Sequence, residues 1–259
     1  DTLTSRNNLA GAYQAAGRLD DAITLHEQTL TDSTRILGPN HPDTLTSRNN
    51  LAGAYQAAGR LDDAITLHEQ TLTDSTRILG PNHPDTLTSR NNLAGAYQAA
   101  GRLDDAITLH KQNLKDSTHI LGPHHPDTLT SRNNLANAYR DTGRLDDAIT
   151  LHKQSLKDST HILGPHHPRT LISRNNLANA YRDTGRLDEA ITLYERNFED
   201  CIRILGPNHP HTLTSRNNLA SAYRAAGRIE EAEKLFETPS GSEDEQDGTK
   251  QDQGQETGD

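Results

Sequence analysis

The 259-residue chain contains no methionine, no tryptophan and no valine, a single cysteine, and aromatic residues at only 3%. Each scarcity excludes something. The lone thiol, Cys201, rules out an internal disulfide framework and fits a reducing compartment, so a cytoplasmic location is expected. No stretch approaches the roughly 18 consecutive apolar residues of a membrane span, so no membrane partner is expected. The opening Asp1-Thr2-Leu3-Thr4 has neither the basic start nor the apolar run of a signal peptide, and its mid-pattern start without Met points to sequence upstream. A formal net charge of −10 argues against a nucleic-acid partner, which needs a positive field to neutralise phosphates. With 32 Leu, 13 Ile and 2 Phe, the large apolar residues make up about 18% of the chain, below the ~20% line under which a charged chain is usually disordered.

What the chain does have is an internal repeat. Residues 1–42 recur unchanged as 43–84, then with drift as 85–126, 127–168 and 169–210, and a partial copy covers 211–238. A fixed period of this length is the signature of a solenoid, in which no unit buries its apolar face alone and neighbours must stack. A thin, continuous core would then reconcile folding with so little hydrophobicity.

Two helical stretches fit each copy, about Thr2 to Ala16 and Asp20 to Ile36. Gly17 stands where a left-handed residue closes the first helix. Asp20 is placed to cap the second, and Asp43 or Thr44 to cap the next first helix after Pro42. Leu37-Gly38-Pro39 ends the second helix. At 100° per residue, Leu9, Tyr13 and Ala16 share one side of the first helix, flanked by Ala10 and Ala12, while Thr4, Asn7, Asn8, Gly11 and Gln14 face the other way. On the second helix, Leu19, Ile23, His26, Leu30, Ser33 and Leu37 form a stripe. The expected fold class is all-α, a solenoid of antiparallel helix pairs.

Leu9-Ala10, Tyr13, Gly17, Ala22 and the large residue at 26 match the spacing of the tetratricopeptide repeat. The longer unit, with Asn-Asn-Leu-Ala-x-x-Tyr, Gly-Arg-Leu-Asp-Asp-Ala and Leu-Gly-Pro-Asn-His-Pro, resembles the kinesin light chain subtype. Two positions depart from the pattern. Arg6 and its equivalents stand where that family usually has Leu or Trp, and His26, His68, His110 and His152 stand where it has Phe or Tyr, which Tyr194 and Phe236 restore. The resemblance implies a right-handed superhelix whose first helices line a concave face and hold a segment of a partner protein, with asparagines bonding the backbone of an extended peptide. Carried over, that row is Asn7, Asn49, Asn91, Asn133, Asn175 and Asn217, with Asn8, Asn50, Asn92, Asn134, Asn176 and Asn218 beside it.

The chemistry of asparagine fits this use independently. Its amide donates and accepts at once, and two successive Asn inside a helix cost stability unless something offsets them. The competing reading is that the pairs bond between adjacent repeats or merely hydrate the groove. Along the chain Gln14, Gln56 and Gln98 become Arg140, Arg182 and Arg224, which suit an acidic segment, although Asp141 and Asp183 sit beside two of them. His119, His124 and His125, repeated as His161, His166 and His167, read as loop residues, since no Cys or carboxylate completes a metal shell nearby. Cys201 takes the place of Ser33 and reads as a buried filler. No cofactor motif or catalytic constellation is present.

The expected function is therefore a non-catalytic scaffold for a protein or peptide partner, with self-association possible. The alternative is a sensor or oligomerisation arm beside an upstream NTPase switch domain. Residues 239–259 hold seven acids against Lys250 and no apolar anchor, and are expected to form a disordered acidic tail.

Overall fold

A computed structural model describes residues 2–236 as twelve helices in chain order. The first helices of the successive units are α1 (Thr2–Ala15), α3 (Pro42–Ala57), α5 (Pro84–Ala99), α7 (Pro126–Asp141), α9 (Pro168–Asp183) and α11 (Pro210–Ala225). The second helices are α2 (Leu19–Leu37), α4 (Leu61–Leu79), α6 (Leu103–Leu121), α8 (Leu145–Leu163), α10 (Leu187–Leu205) and the short α12 (Ile229–Lys234). Each helix packs on the next in sequence, and α1, α3 and α5 also touch as first helices, so the chain is a solenoid of stacked pairs. Asp1 and the expected acidic tail lie outside the described residues.

The turns follow from local chemistry, with two revisions to the expected caps. Gly17 has φ +75°, as a left-handed closing residue should; its N–H donates to Gln14 and the Arg18 N–H reaches back to Tyr13. Neither Asp43 nor Thr44 caps α3. The imidazole of His41 does so instead, with Nδ1 accepting from the Asp43 N–H at 3.1 Å, and the same bond recurs at His83, His125, His167 and His209. Thr44 turns backwards and donates its hydroxyl to the Gly38 carbonyl at 2.8 Å, so it pins the inter-repeat turn. Asp20 makes no cap either. Arg18 occupies that position without a side-chain capping bond to the helix backbone, and its guanidinium pairs with the Asp21 carboxylate at 2.7 Å while lying 4.2 Å over the Tyr13 ring. These histidines explain why the loops need His before Pro: an aromatic nitrogen replaces the usual hydroxyl or carboxylate acceptor.

Small residues dominate the core. Ala10, Ala52, Ala54, Ala64 and their later equivalents are fully buried, which lets helices approach closely. Leu51, Tyr55 and Ile23 interlock between units, so the second helix of one repeat packs on the first helix of the next. Leu9, their counterpart in α1, is 47% exposed because no preceding repeat covers it among the described residues. Burying each such Leu contributes roughly 1.5–3 kcal/mol, a gain available only when copies stack.

The arginines at the position of Arg6 have a specific partner. Arg6 reaches Asp32 at 2.7 Å, and Arg48–Asp74, Arg90–Asp116, Arg132–Asp158 and Arg174–Asp200 repeat the pair at 2.6–2.7 Å. Each ties the two helices of one unit at the position where the family pattern has Leu or Trp. The guanidiniums hold Asp32 and Asp74 below the usual carboxylate range. A second polar seam joins adjacent units, with Ser33–Ser47, Ser75–Ser89, Ser117–Ser131 and Ser159–Ser173 hydroxyls 3.3–3.4 Å apart inside the protein.

Candidate peptide groove

Polar residues of three neighbouring first helices come together in one place. Asn49, Gly53 and Gln56 of α3, Asn91, Asn92, Gly95 and Gln98 of α5, and Asn134 and Asn137 of α7 surround one cavity of about 360 Å³. Gly53 and Gly95 have nothing within 4 Å of where a Cβ would stand, so the floor between the asparagines is open.

His68 and His110 also line this cavity, a role that the sequence reading, which placed them on the packing stripe, did not assign. They do pack, at 3% and 2% exposure, and burial pushes their imidazoles down to about 4, so they stay neutral at pH 7. Nδ1 of His68 lies 3.2 Å from Oδ1 of Asn49, and His26 and Asn7 repeat the contact at 3.3 Å. The ring nitrogens of His110 and His152 are buried without a protein partner, as is Oδ1 of Asn133. The available signal was the departure itself: imidazole in four copies at a position that otherwise carries an aromatic.

Part of the asparagine array is engaged within the protein. Asn134 donates to Asn91 at 3.0 Å and Asn218 to Asn175 at 2.9 Å, so the second row braces the first across neighbouring units. Asn50, Asn92 and Asn176 are half-buried on the same face, and Asn175 opens onto a neighbouring cleft. Asn8 and Asn217, at opposite ends of the rows, are exposed.

The arginine half has a different character. Arg140 approaches Asp183 at 3.5 Å and Arg182 approaches the same carboxylate at 3.4 Å, while Asp141 accepts from Gln98. Asn179 accepts a 2.5 Å bond from the Tyr194 hydroxyl, filling the floor that stays open over Gly53 and Gly95. Arg224 turns to the terminal helix region, 6.0 Å from the Phe236 ring. Elsewhere, Cys201 is buried, and burial raises its thiol pKa. His124 and His166 lie 3.8 and 3.2 Å from Asp158 and Asp200, adding to ion pairs already made by arginine.

The chain matches the tetratricopeptide repeat family model over residues 1–74, 47–115, 88–158, 136–196 and 169–238. No curated protein matches it. Among solved structures it is similar to a Podosopora anserina putative kinesin light chain with nearly identical repeats, at 33% identity and TM-score 0.69, covering 78% of this chain and 95% of that one. BtubC (BKLC) from P. vanneervenii has the same fold at 22% identity and TM-score 0.70, over 84% of this chain and 88% of that one. The signal transduction ATPase with a tetratricopeptide repeat sensor from Pyrococcus horikoshii shares the fold at 16% identity and TM-score 0.67; 90% of this chain covers 34% of that one. Among the described residues, no helix is long and apolar enough to cross a membrane.

Proposed function

The chain belongs to the tetratricopeptide repeat family, in its kinesin light chain-like form, and from that premise we propose that it is a non-catalytic scaffold holding an extended segment of a partner protein in its concave groove. Repeats of this family generally mediate binding to protein partners. The finer reading, an asparagine ladder on the peptide backbone, is carried by one observation: the asparagine-lined cavity across α3, α5 and α7 has a floor left open by Gly53 and Gly95. An extended peptide presents alternating N–H and C=O groups, and a carboxamide pairs with either. Asn49 and Asn91 line that floor as the central rungs, Asn7, Asn133, Asn175 and Asn217 continue the row, and the Asn8-type row sets its spacing. Arg140, Arg182 and Arg224 supply a cationic end, where an acidic segment competes with Asp183 for two guanidiniums.

Affinity capture tests this with the full chain against a variant carrying Asn→Ala at the six Asn7-type positions. Alanine favours helix over asparagine, and circular dichroism of the variant checks that its fold survives the loss of the His26–Asn7, His68–Asn49 and Asn134–Asn91 contacts. Loss of the captured proteins is expected, and equal recovery by both chains refutes the ladder. Replacing Arg140, Arg182 and Arg224 with Gln weakens an acidic partner if the cationic end contributes. The alternative, a sensor or oligomerisation arm of a larger switch protein, rests on fold likeness to the ATPase sensor. Self-association of the array in sedimentation experiments favours that alternative.

A further inference from the structure

Three departures from the repeat pattern, far apart in sequence, meet at one place. Thr46, Thr88, Thr130 and Thr214 share a position that is Ile172 in the fifth copy. Ser33, Ser75, Ser117 and Ser159 become Cys201, and Asp43, Asp85 and Asp127 give way to Arg169 in the fifth copy and His211 in the last. Ile172, Cys201 and His211 line a single cleft of about 290 Å³ between α9, α10 and α11, together with Pro168, Leu171 and Leu205. The same cleft exists in earlier units. One of about 200 Å³ is lined by Thr46, Ser75, Asp85 and Thr88, and one of about 240 Å³ by Thr88, Ser117, Asp127 and Thr130. The shape and its Pro-Leu-Leu wall are inherited, and Thr214, Ser215 and Asn197 remain in the lining, with Asn197 already donating to Ser215 at 3.2 Å. What changes is one threonine to aliphatic carbon, one serine to a thiol and the carboxylate to an imidazole.

These clefts are side pockets of the groove. Asn49 lines both the groove cavity and the first cleft, and Asn91 both the cavity and the second. Asn175 holds the equivalent place at the third. Ile172 leaves 45% of its surface in water at this position, apolar area that a bound group would cover. A charged or amide side chain entering here would give up its hydration against Pro168, Leu171, Ile172 and Leu205. The volume lies at the lower limit for free drug-sized ligands, and so suits one side chain of a longer chain. With His211 in place of the earlier aspartate, the cleft has no carboxylate in its lining.

We propose that the cleft between α9, α10 and α11 selects one aliphatic side chain, Leu, Ile or Met, in the segment held along the groove. The inference rests on the groove reading for the rest of the segment, but not for the pocket itself. Because the clefts of the earlier copies carry Thr, Ser and Asp at these places, the triple variant Ile172→Thr, Cys201→Ser, His211→Asp restores a lining already compatible with the fold.

Two measurements on the full chain test it. In methyl-labelled protein followed by NMR, N-acetyl-leucinamide is expected to shift the Ile172, Leu171 and Leu205 methyls saturably. N-acetyl-asparaginamide should act about tenfold more weakly, the order expected for burying one aliphatic side chain. The triple variant should lose the difference. No saturable shift, stronger binding of N-acetyl-phenylalaninamide, or an unchanged response in the triple variant overturns the pocket. The second probe is an array of nonapeptides in a Gly-Ser-Asn background with one varied position. The natural chain should prefer Leu, Ile or Met about tenfold over Asn, and the triple variant should keep background binding without that preference. Equal preference in both chains also overturns the pocket. Leucinamide shifts with no peptide retained uphold the pocket and refute the groove reading.

Discussion

The identical first repeats and the diverged last ones fold alike but are held together differently. In the first part of the array the apolar core is broken into separate clusters, such as Ile23 with Leu51, Ala54 and Tyr55, or Ile65 with Leu93 and Ala96. From Ile149 to Ala232 the core is one continuous cluster that includes Tyr194, with Phe198 packed against it. The change is chemical: Tyr194 replaces the histidine of the earlier copies and Phe198 replaces a leucine. One aromatic in place of an imidazole joins neighbouring units. The groove changes in the opposite sense, from an open, neutral floor over Gly53 and Gly95 to one occupied by Asn179 and paired arginines. The open floor thus lies where the apolar core is discontinuous, and the filled floor where it is continuous.

The largest effect that separates the two regions should come from their ion pairs. Arg174 and Asp200 are 4% and 9% exposed, against 25% and 30% for Arg6 and Asp32. Asp200→Ala leaves a buried guanidinium unpaired and should cost about 3–5 kcal/mol. Asp32→Ala should cost about 1 kcal/mol or less. Urea unfolding of both variants checks the ranking, and equal losses would erase the distinction.

Tyr194→His, which makes the fifth copy resemble the first four, should split the continuous cluster at about 2 kcal/mol. Hydrogen exchange in α10 and α11 should rise towards the rates of α4 and α5. Unaltered exchange would mean that the aromatic does not join the units.

Acid should distinguish the regions next. The imidazole of His110 is held down to about 4 by burial, against about 6.5 in an unfolded chain, so between those values the unfolded chain binds more protons. The stability it contributes is complete above pH 6.5 and is lost as pH falls towards 4. The fifth unit, with Tyr194 in this place, has no such loss. Asp32 and Asp74, held below the ordinary carboxylate range by their arginines, lose their contribution only at lower pH. His110→Phe should therefore flatten the fall in stability between pH 7 and 5, by on the order of 1 kcal/mol. The slope of urea midpoint against pH gives the answer.

The smallest effect tests the open floor. Gly95→Ala places a methyl where nothing lies within 4 Å and should stabilise α5 by up to about 1 kcal/mol. Thermal unfolding measures the gain. Gly95→Asn, which copies the later units, should weaken partner capture without loss of stability.

Much of this was legible in one dimension. The 42-residue period, Gly17 and Gly38 at the turns and the Leu9, Tyr13 and Ile23 stripes define a stacked helix-pair solenoid, because apolar spacing sets which faces must meet. The Arg6 position was less transparent. Its partner Asp32 accompanies it in every complete copy, but a separation of 26 residues means nothing until two antiparallel helices bring it to 2.7 Å. The His41 cap was hidden because histidine is an uncommon helix cap, and His68 in the groove because one ring can pack on one edge and face a cavity on the other.

The amino-acid order alone determined that copies of one unit must stack, since no copy has enough apolar surface to fold by itself. It also placed one asparagine pair at the same position on every first helix. Only the tertiary structure decided which asparagines brace one another, which arginines are already paired, and that Ile172, Cys201 and His211 share a cleft. Those outcomes depend on distances between helices, within a unit for Arg6 and Asp32 and between units for the cleft, and such distances arise only when helices pack.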